Sequence, residues 1–561
     1  VSMKRFLAAL ILLSAAACLD FKGAEQKFCE KNEATCQTST AGGAGGGGAD
    51  SGEGGGVGGG TGGGTGGGSG GGIGGGTGGG TGGGIGGGTG GGGGGTVTPA
   101  SVWFSQLGDS FTTSLAMGGS SPLPNGGAVV AGGFSGGMDV FNDSDPELSR
   151  TGLTDGFVLS YDGQGHPQMF RNFGPGSGNS AQTPINVTST ADGSRFFLTM
   201  SVGAGSSFGN DAGLPDFGTA LIAVTPSDGG AVWAAGMTAD IVGGSSSRFI
   251  VTADSDTSAD GTTVLFGSYE PNPIAIGTAG NCAVINNITS SSGNWIAAWD
   301  REGRCLSARA FPCNAGIARD VAIDPVTNDF YGALEASTDQ TGTTACKFTS
   351  TAEAVPLHGL VLLKSQPDAG SFVHQIFQNV SFVSSISAQG LLDVQLAGYG
   401  GKVFLAGSFV GPFQLVDAGI TSTDPDLFLV ELIPGLMQPK PTTLRVFSAP
   451  GADRLSALSI TSDGGVWIAG NSVGFGPGFG GGGLDAGLDG GVWIAHTGIN
   501  ANDPVSATLL DVSGSASVLR MNVDPNGQAA MSGKFAGSIG LGDAGTSSVA
   551  TTSHFIGRFG N

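Results

Sequence analysis

The pattern of apolar and polar positions divides the chain near residue 96. Beyond it, apolar residues come in short runs broken by Gly, Asp, Asn and Ser. Seven times a run ends on a small residue: "GAVVAGGF", "RFFLTMSV", "TVLFGSY", "DFYGALE", "KVFLAGSF", "GVWIAGN" and "QAAMSGKF". Aligned on that position they give Gly132, Met200 (the exception), Gly267, Gly332, Gly407, Gly470 and Gly533, at steps of 68, 67, 65, 75, 63 and 63. A second apolar run follows each, from "DGFVLSYD" to "SHFIGRFG". Another precedes each, as in "INVTSTADG" and "SVLRMNVDPNG". The turns between them carry ADGS, ADGT, SDGG and DPNG. Asp-Gly and Asn-Gly tolerate the positive φ that tight hairpins need.

Short strands in regular antiparallel order predict a sandwich, a barrel or a propeller. A strict long-period repeat selects the propeller. A further strand, such as "HPQMFRNFG" or "GAVWAAGM", follows in six of the seven repeats. The last repeat ends the chain at Asn561 without one. "VWFSQLGDS", residues 102–110, has the pattern of the missing strand. The expected fold is therefore all-β: a seven-bladed β-propeller with four antiparallel strands per blade, its last blade closed by 102–110.

Before residue 96 the pattern is absent. Residues 42–95 are mostly glycine, and from Val57 to Thr89 every fourth residue is something else. Almost no side chain is there to offset the entropy of ordering. The segment is expected to be a disordered linker, roughly 40 Å long on average and about 180 Å when fully stretched. Strings such as GxGxxG arise here from composition and carry no nucleotide reading. The expected domains are 1–17, 18–41, 42–95 and 96–561.

Residues 1–17 read as a signal peptide. Lys4 and Arg5 precede an apolar stretch, Phe6 to Ala17, that is too short to span a bilayer as a helix. It ends in "AAAC", which resembles the bacterial lipobox, with Ala15 where Leu is usual. The resemblance implies a lipid on Cys18, a mature chain starting there, and, with Leu19 next, transport to the outer membrane. More than one acyl chain gives stable anchoring.

The seven cysteines fit this picture: Cys18, Cys29, Cys36, Cys282, Cys305, Cys313 and Cys346. With Cys18 lipidated, the other six are disulfide candidates. Cys29 and Cys36 would close a small loop, and the remaining four leave three pairings open. No CxxC or HxxxH spacing suggests zinc, and no metal or cofactor is expected.

Charge and composition narrow the partners. The chain of 561 residues has 22 Lys+Arg, 44 Asp+Glu and a net charge of −22. Without a basic cluster it is unsuited to phosphate backbones, so nucleic acid is not an expected partner.

The first repeat, "GGAVVAGGFSG", "DGFVLSYDGQG" and "MFRNFG", resembles bacterial SBBP-type β-propeller repeats, as do "GGKVFLAGSFVG" and "DPDLFLVEL" in the fifth. The likeness runs over roughly 102–561 and is weak in repeats two to four. With signal peptide and Gly-rich tether, the whole resembles surface lipoproteins of myxobacteria. The group implies structural motifs and no transferable catalytic set.

Two motifs invite chemistry. G-x-S-x-G occurs at Ser135, Ser207 and Ser472, but no strand-to-helix elbow is expected around them. "DTSADG", 256–261, begins like a calcium loop, yet its twelfth position is Gly267 instead of Glu. The five histidines are scattered. The six tryptophans fall in expected strands and read as core.

The sequence thus points to a monomeric, non-catalytic lipoprotein of the bacterial cell envelope, presenting a propeller to a protein or polymer. The alternatives are an enzyme or small-ligand binder using a central channel, and a passive envelope structural protein.

Overall fold

The computed structural model describes residues 100–560, apart from connecting segments that include 108–111, 141–147, 175–182, 203–217, 240–249, 286–292, 377–390 and 480–490. The expected signal peptide, Cys18, Cys29, Cys36 and the glycine linker lie outside the described residues, as do Cys282 and Cys313. Among the described residues no helix is long and apolar enough to cross a membrane.

The repeats are antiparallel sheets of four principal strands. In repeat 1 these are Thr112–Pro122, Ala128–Met138, Asp155–Tyr161 and Pro167–Phe173. Repeat 2 has Thr183–Ser189, Phe196–Val202, Gly218–Val224 and Ala231–Ala239, and repeat 3 has Ile250–Thr257, Thr263–Tyr269, Gly293–Trp299 and Cys305–Pro312. Repeat 4 has Gly316–Ile323, Phe330–Ala336, Gly359–Ser365 and Phe372–Ile376. Repeat 5 has Leu391–Tyr399, Lys402–Leu415, Ala418–Ile433 and the short Arg445–Phe447. Repeats 6 and 7 share one sheet, because the strand Val505–Val523 ends the sixth and begins the seventh.

The sixth repeat opens with Gly451–Ile460, Val466–Gly474 and Gly491–Thr497, and the seventh continues with Ala529–Gly540 and Thr546–Gly560. Ala100–Leu107 then pairs antiparallel with Thr546–Gly560, from Ala100 opposite Gly560 to Leu107 opposite His554. The strand expected at 102–110 thus runs two residues earlier at its start, and 108–110 lie outside the described residues.

In repeats 1, 5, 6 and 7 the small position has a steric cause. A Cβ on Gly132 would lie 2.5 Å from the Ala116 carbonyl oxygen and 2.7 Å from the Phe157 ring. Gly407 meets Asp393 O and Phe428 in the same way, and Gly470 meets Arg454 O and Trp493. The ring on the third strand lies over the glycine of the second. Met200 breaks the rule and keeps the volume, because its third-strand partner is Ala220.

Third strands are buried from end to end in repeats 1 and 3, so both sheet faces are covered. Among the described residues the buried apolar side chains form seven clusters, each built from consecutive repeats. One joins repeats 1 and 2 through Val129, Val158, Phe196 and Ile222. Another joins 6 and 7 through Trp467, Ile494, Met531 and Phe555. One more joins 7 to 1 through Trp103, Leu107 and Ile556 with Val130, Phe157 and Tyr161. A buried side chain of this size contributes about 1.5–3 kcal/mol. Packing between sheets therefore holds neighbouring repeats together. Strand pairing holds each repeat.

The architecture is that of a β-propeller: four-stranded antiparallel sheets packed face to face, with the first strand of every repeat on one central cavity. An outer-strand tryptophan marks two seams alike. Trp103 packs on Gly165 (φ +82°) of repeat 1 and donates Nε1–H to Gly126 O at 3.2 Å. Trp233 packs on Gly303 (φ +84°) of repeat 3 and donates to Arg301 O at 2.8 Å. Neither glycine has room for a Cβ.

Candidate functional site: the central cavity

Each first strand ends in the turn to the second, and three residues before its end comes a position that lines the centre in every repeat but the first. Reading round the repeats these are Gly119, Asn186, Asp254, Asp320, Leu396, Ala457 and Arg520. A β-bulge immediately precedes it in every repeat but the fifth, where the bulge lies earlier, before Asp393. Bulges re-aim side chains and sharpen local twist.

Outside the shared sheet of repeats 6 and 7, each first strand is also the edge of its sheet. Side chains from the neighbouring repeat supply the missing partners. Ile323 N–H donates to Asp256 Oδ2 at 2.9 Å, and Leu396 N–H donates to Asp320 Oδ2. Asn186 Nδ2 donates to Asp254 Oδ1 at 2.8 Å and to Ser255 O at 2.7 Å. Val523 N–H donates to Ser459 Oγ, and Asn522 Nδ2 donates to Ser120 O at 2.7 Å, which ties repeat 7 to repeat 1. An edge strand left unpaired is a liability.

The strands surround a cavity of about 250 Å³ lined by all seven repeats. Arg520 Nη1 donates to Asp254 Oδ2 at 2.9 Å, although the two residues are 266 apart in sequence. The guanidinium of repeat 7 and the carboxylate of repeat 3 thus meet across the centre.

The carboxyls here resist ionisation. Burial pushes Asp256 up to about 7, against the pull of the Ile323 and Thr257 N–H groups, with Asp254 adding repulsion. Burial also raises Asp320 well above the usual range, and Asp254 at hydrogen-bond distance adds to it. Leu396 N–H and Arg520 oppose the rise. Low dielectric penalises the charged form.

The hairpin-turn aspartates outside the cavity behave in the opposite way. Hydroxyls of Ser194 and Thr190 hold Asp192 well below the usual range. Asp228 and Asp463 are lowered chiefly by Thr225 and Thr461. At Asp260 and Asp324 burial pulls upward, and hydrogen bonds outweigh it. Asp324 accepts N–H groups from Val326 (2.8 Å) and Thr327 of its own turn and from Gly400 (2.9 Å) and Gly401 of the next repeat.

The residues singled out from the sequence do not gather here, with one exception. Asp256, the first residue of "DTSADG", lines the cavity. The rest of that segment is a hairpin turn, with Ser258 Oγ–H and Thr262 N–H donating to Asp260 Oδ1. Ser135 and Ser472 lie inside second strands and are buried, where Ser135 shares a hydrogen bond with Ser114 and Ser472 donates to Asp453. Ser207 lies outside the described residues. Cys305 and Cys346 fall on strands of repeats 3 and 4.

His166 is exposed on a turn beside Asp162, and His496 lies tilted against the Trp467 ring, 5.0 Å between centroids. His554 is buried in repeat 7, where desolvation pushes it down to about 4. All six tryptophans are on strands, and Trp295, Trp299, Trp467 and Trp493 are fully buried. Among the described residues no group of three or more His, Cys, Asp or Glu is placed to hold a metal.

Asn186, Asp254, Asp320 and Arg520 were not legible as a set. Aligning "NVTS", "DSDT", "DVAI" and "RMNV" on the end of the first strand brings their positions into register. It does not reveal that the four meet.

No family model matches the chain, and no curated protein sequence matches it. Solved structures give remote likenesses. The Dos1 propeller is 8% identical, with 82% of this chain and 95% of that one covered and a TM-score of 0.36. The Cps50 (Swd1) β-propeller domain of Myceliophteria thermophila is 8% identical, with 81% and 99% covered and a TM-score of 0.37. The acylaminoacyl peptidase of Pyrococcus horikoshii is 7% identical with a TM-score of 0.36; the likeness covers 76% of this chain, which spans only 50% of the peptidase. At such scores the propeller assignment rests on the strand pairing and the seams described above.

Proposed function

We propose that this chain is a membrane-anchored, non-catalytic lipoprotein of the bacterial cell envelope, displaying a closed seven-bladed propeller as a scaffold for a protein or polymer partner. The pairing of Ala100–Leu107 with Thr546–Gly560 carries this reading. It favours closure by the two ends of the folded region, with the glycine tether entering at the seam. Tyr161, Trp103 and Ile556 in one cluster support the same closure. The anchor rests on "AAAC" and on the basic and apolar residues before it. The odd cysteine count fits lipidation of Cys18, with disulfides among Cys29, Cys36, Cys282, Cys305, Cys313 and Cys346.

Three experiments test it. Cys18→Ala is expected to move the protein from the membrane fraction to the soluble fraction. Unchanged fractionation refutes the anchor. A chain beginning at Phe111 is expected to melt well below one beginning at Thr96, because it lacks Trp103 and Leu107 and leaves the last sheet with a bare edge. Equal melting temperatures refute closure. Turnover in a broad hydrolase screen, abolished by one point substitution, would overturn the non-catalytic reading.

A further inference from the structure

The central cavity has a chemical bias that display on a membrane does not require. Its charged and titratable lining groups are Asp254, Asp256, Asp320, Tyr399, Arg520 and Asp524. Among the described residues one cation therefore faces several carboxyls, and that cation is already matched: Arg520 is bonded to Asp254. Asp524 is likewise matched, by the buried guanidinium of Arg558. Asp256 and Asp320 face the cavity without an ion pair of their own, although Asp320 lies at hydrogen-bond distance from Asp254 and within the field of Arg520. Each spends two acceptor sites on backbone N–H groups, Asp256 on Ile323 and Thr257, Asp320 on Leu396 and Val321. A carboxylate offers about four such sites.

The cavity also contains its own example of what it accepts. The Arg520 guanidinium is an organic cation held by a carboxylate inside it. Around the remaining space stand Ser121, Thr188 and Thr257. At about 250 Å³ the space falls just below the size of a drug-sized pocket.

We propose that the central cavity binds a primary ammonium or guanidinium group, seated between the carboxyls of Asp256 and Asp320 and fed from the mouth ringed by turn aspartates. The ligand's N–H groups fill the acceptor sites that the backbone leaves open, and its charge adds to that of Arg520, the one guanidinium these carboxyls must otherwise share. Asp192, Asp260, Asp324 and Asp463 stand on the same turns as the mouth and stay ionised, which concentrates cations there. Burial, with Asp254 adding repulsion, raises both carboxyls of the cavity. Binding a cation therefore displaces a proton, and affinity rises with pH. The inference goes beyond envelope display and stands or falls apart from the anchor.

Isothermal titration of the full chain tests it, with putrescine representing a free amine and Nα-acetyl-lysine methylamide representing a polypeptide side chain. Saturable binding of one per chain is expected for at least one of them, and the tighter one identifies the source. Tetramethylammonium, which has the charge but no N–H donor, is expected to bind at least about tenfold more weakly. Affinity should rise about tenfold from pH 6 to pH 8, with proton release visible as a dependence on buffer ionisation heat. Asp320→Asn should weaken binding about tenfold or more, while Asp162→Asn, on an outer turn, should leave it unchanged.

Absence of saturable binding by both amines overturns the proposal. So does binding without proton release, or equal binding of tetramethylammonium, or equal loss in both variants. The proton count needs only the unaltered chain, so the test survives if Asp320→Asn does not fold.

Discussion

Aspartates of the turn face and aspartates of the cavity differ in environment and respond to it in opposite directions. Asp192, Asp228, Asp260, Asp324 and Asp463 cap hairpin turns, where hydroxyl and N–H donors converge on them and keep them ionised. Asp256 and Asp320 also accept N–H groups, yet desolvation wins and they hold their protons. Burial alone does not separate them. Asp324 is itself a buried residue, and its four backbone donors outweigh the burial. Asp320 has two, with Asp254 pressed against it. A neighbouring carboxyl and enclosure decide the sign.

The largest expected effect removes the cation from the cavity. Arg520→Ala leaves Asp254 without its partner, and urea denaturation should show a loss of about 3 kcal/mol. The double replacement Arg520→Met with Asp254→Met should recover much of it, because both charges go together. A loss shared equally by single and double variants would mean that the pair does not couple repeats 7 and 3.

Next comes Asp324→Ala, which frees four N–H groups across two repeats, at about 2 kcal/mol. Thermal melting checks it. No effect would show that the turn face contributes nothing to the joint between repeats 4 and 5.

The pH profile sharpens the comparison further. Asp256 binds its proton more tightly folded than unfolded. Its contribution is complete below the ordinary carboxylate value of about 3.9 and is lost as pH rises through about 7. The turn acids contribute above their ordinary value, and that stability is lost as pH falls through their lowered values. Melting temperature should therefore decline from pH 5 to pH 8, on the order of 2 kcal/mol in stability, and Asp256→Asn should flatten that limb. A rising limb in the wild type would reverse the assignment of the cavity acids. The smallest effect is expected at Asp463→Ala, which removes one turn cap on a largely exposed side chain, at about 0.5–1 kcal/mol.

Much of the fold was legible because its rules are local. Gly132, Gly407 and Gly470 recur because an aromatic ring on the next strand leaves no room for a Cβ. Met200 opposite Ala220 shows the same volume divided the other way. The turn sequences declare themselves because positive φ is cheap only for a few residues, as at Gly193, Gly261, Gly464 and Gly527. Repeat 4 reads less clearly. In repeat 4 the bulge falls before Asp320, so Gly332 pairs beyond it with Val321 and its Cβ position is loose, 3.6 Å from the nearest atom.

By itself the sequence determined the strands, the repeat and the place of "VWFSQLGDS", because pattern and turn chemistry act between neighbours a few residues apart. The tertiary structure alone decided the cavity. Asn186, Asp254, Asp320 and Arg520 belong to four different repeats, and nothing in their spacing brings them together. They meet because first strands converge on one centre, where enclosure strips away water and each charge must find its partner in another repeat.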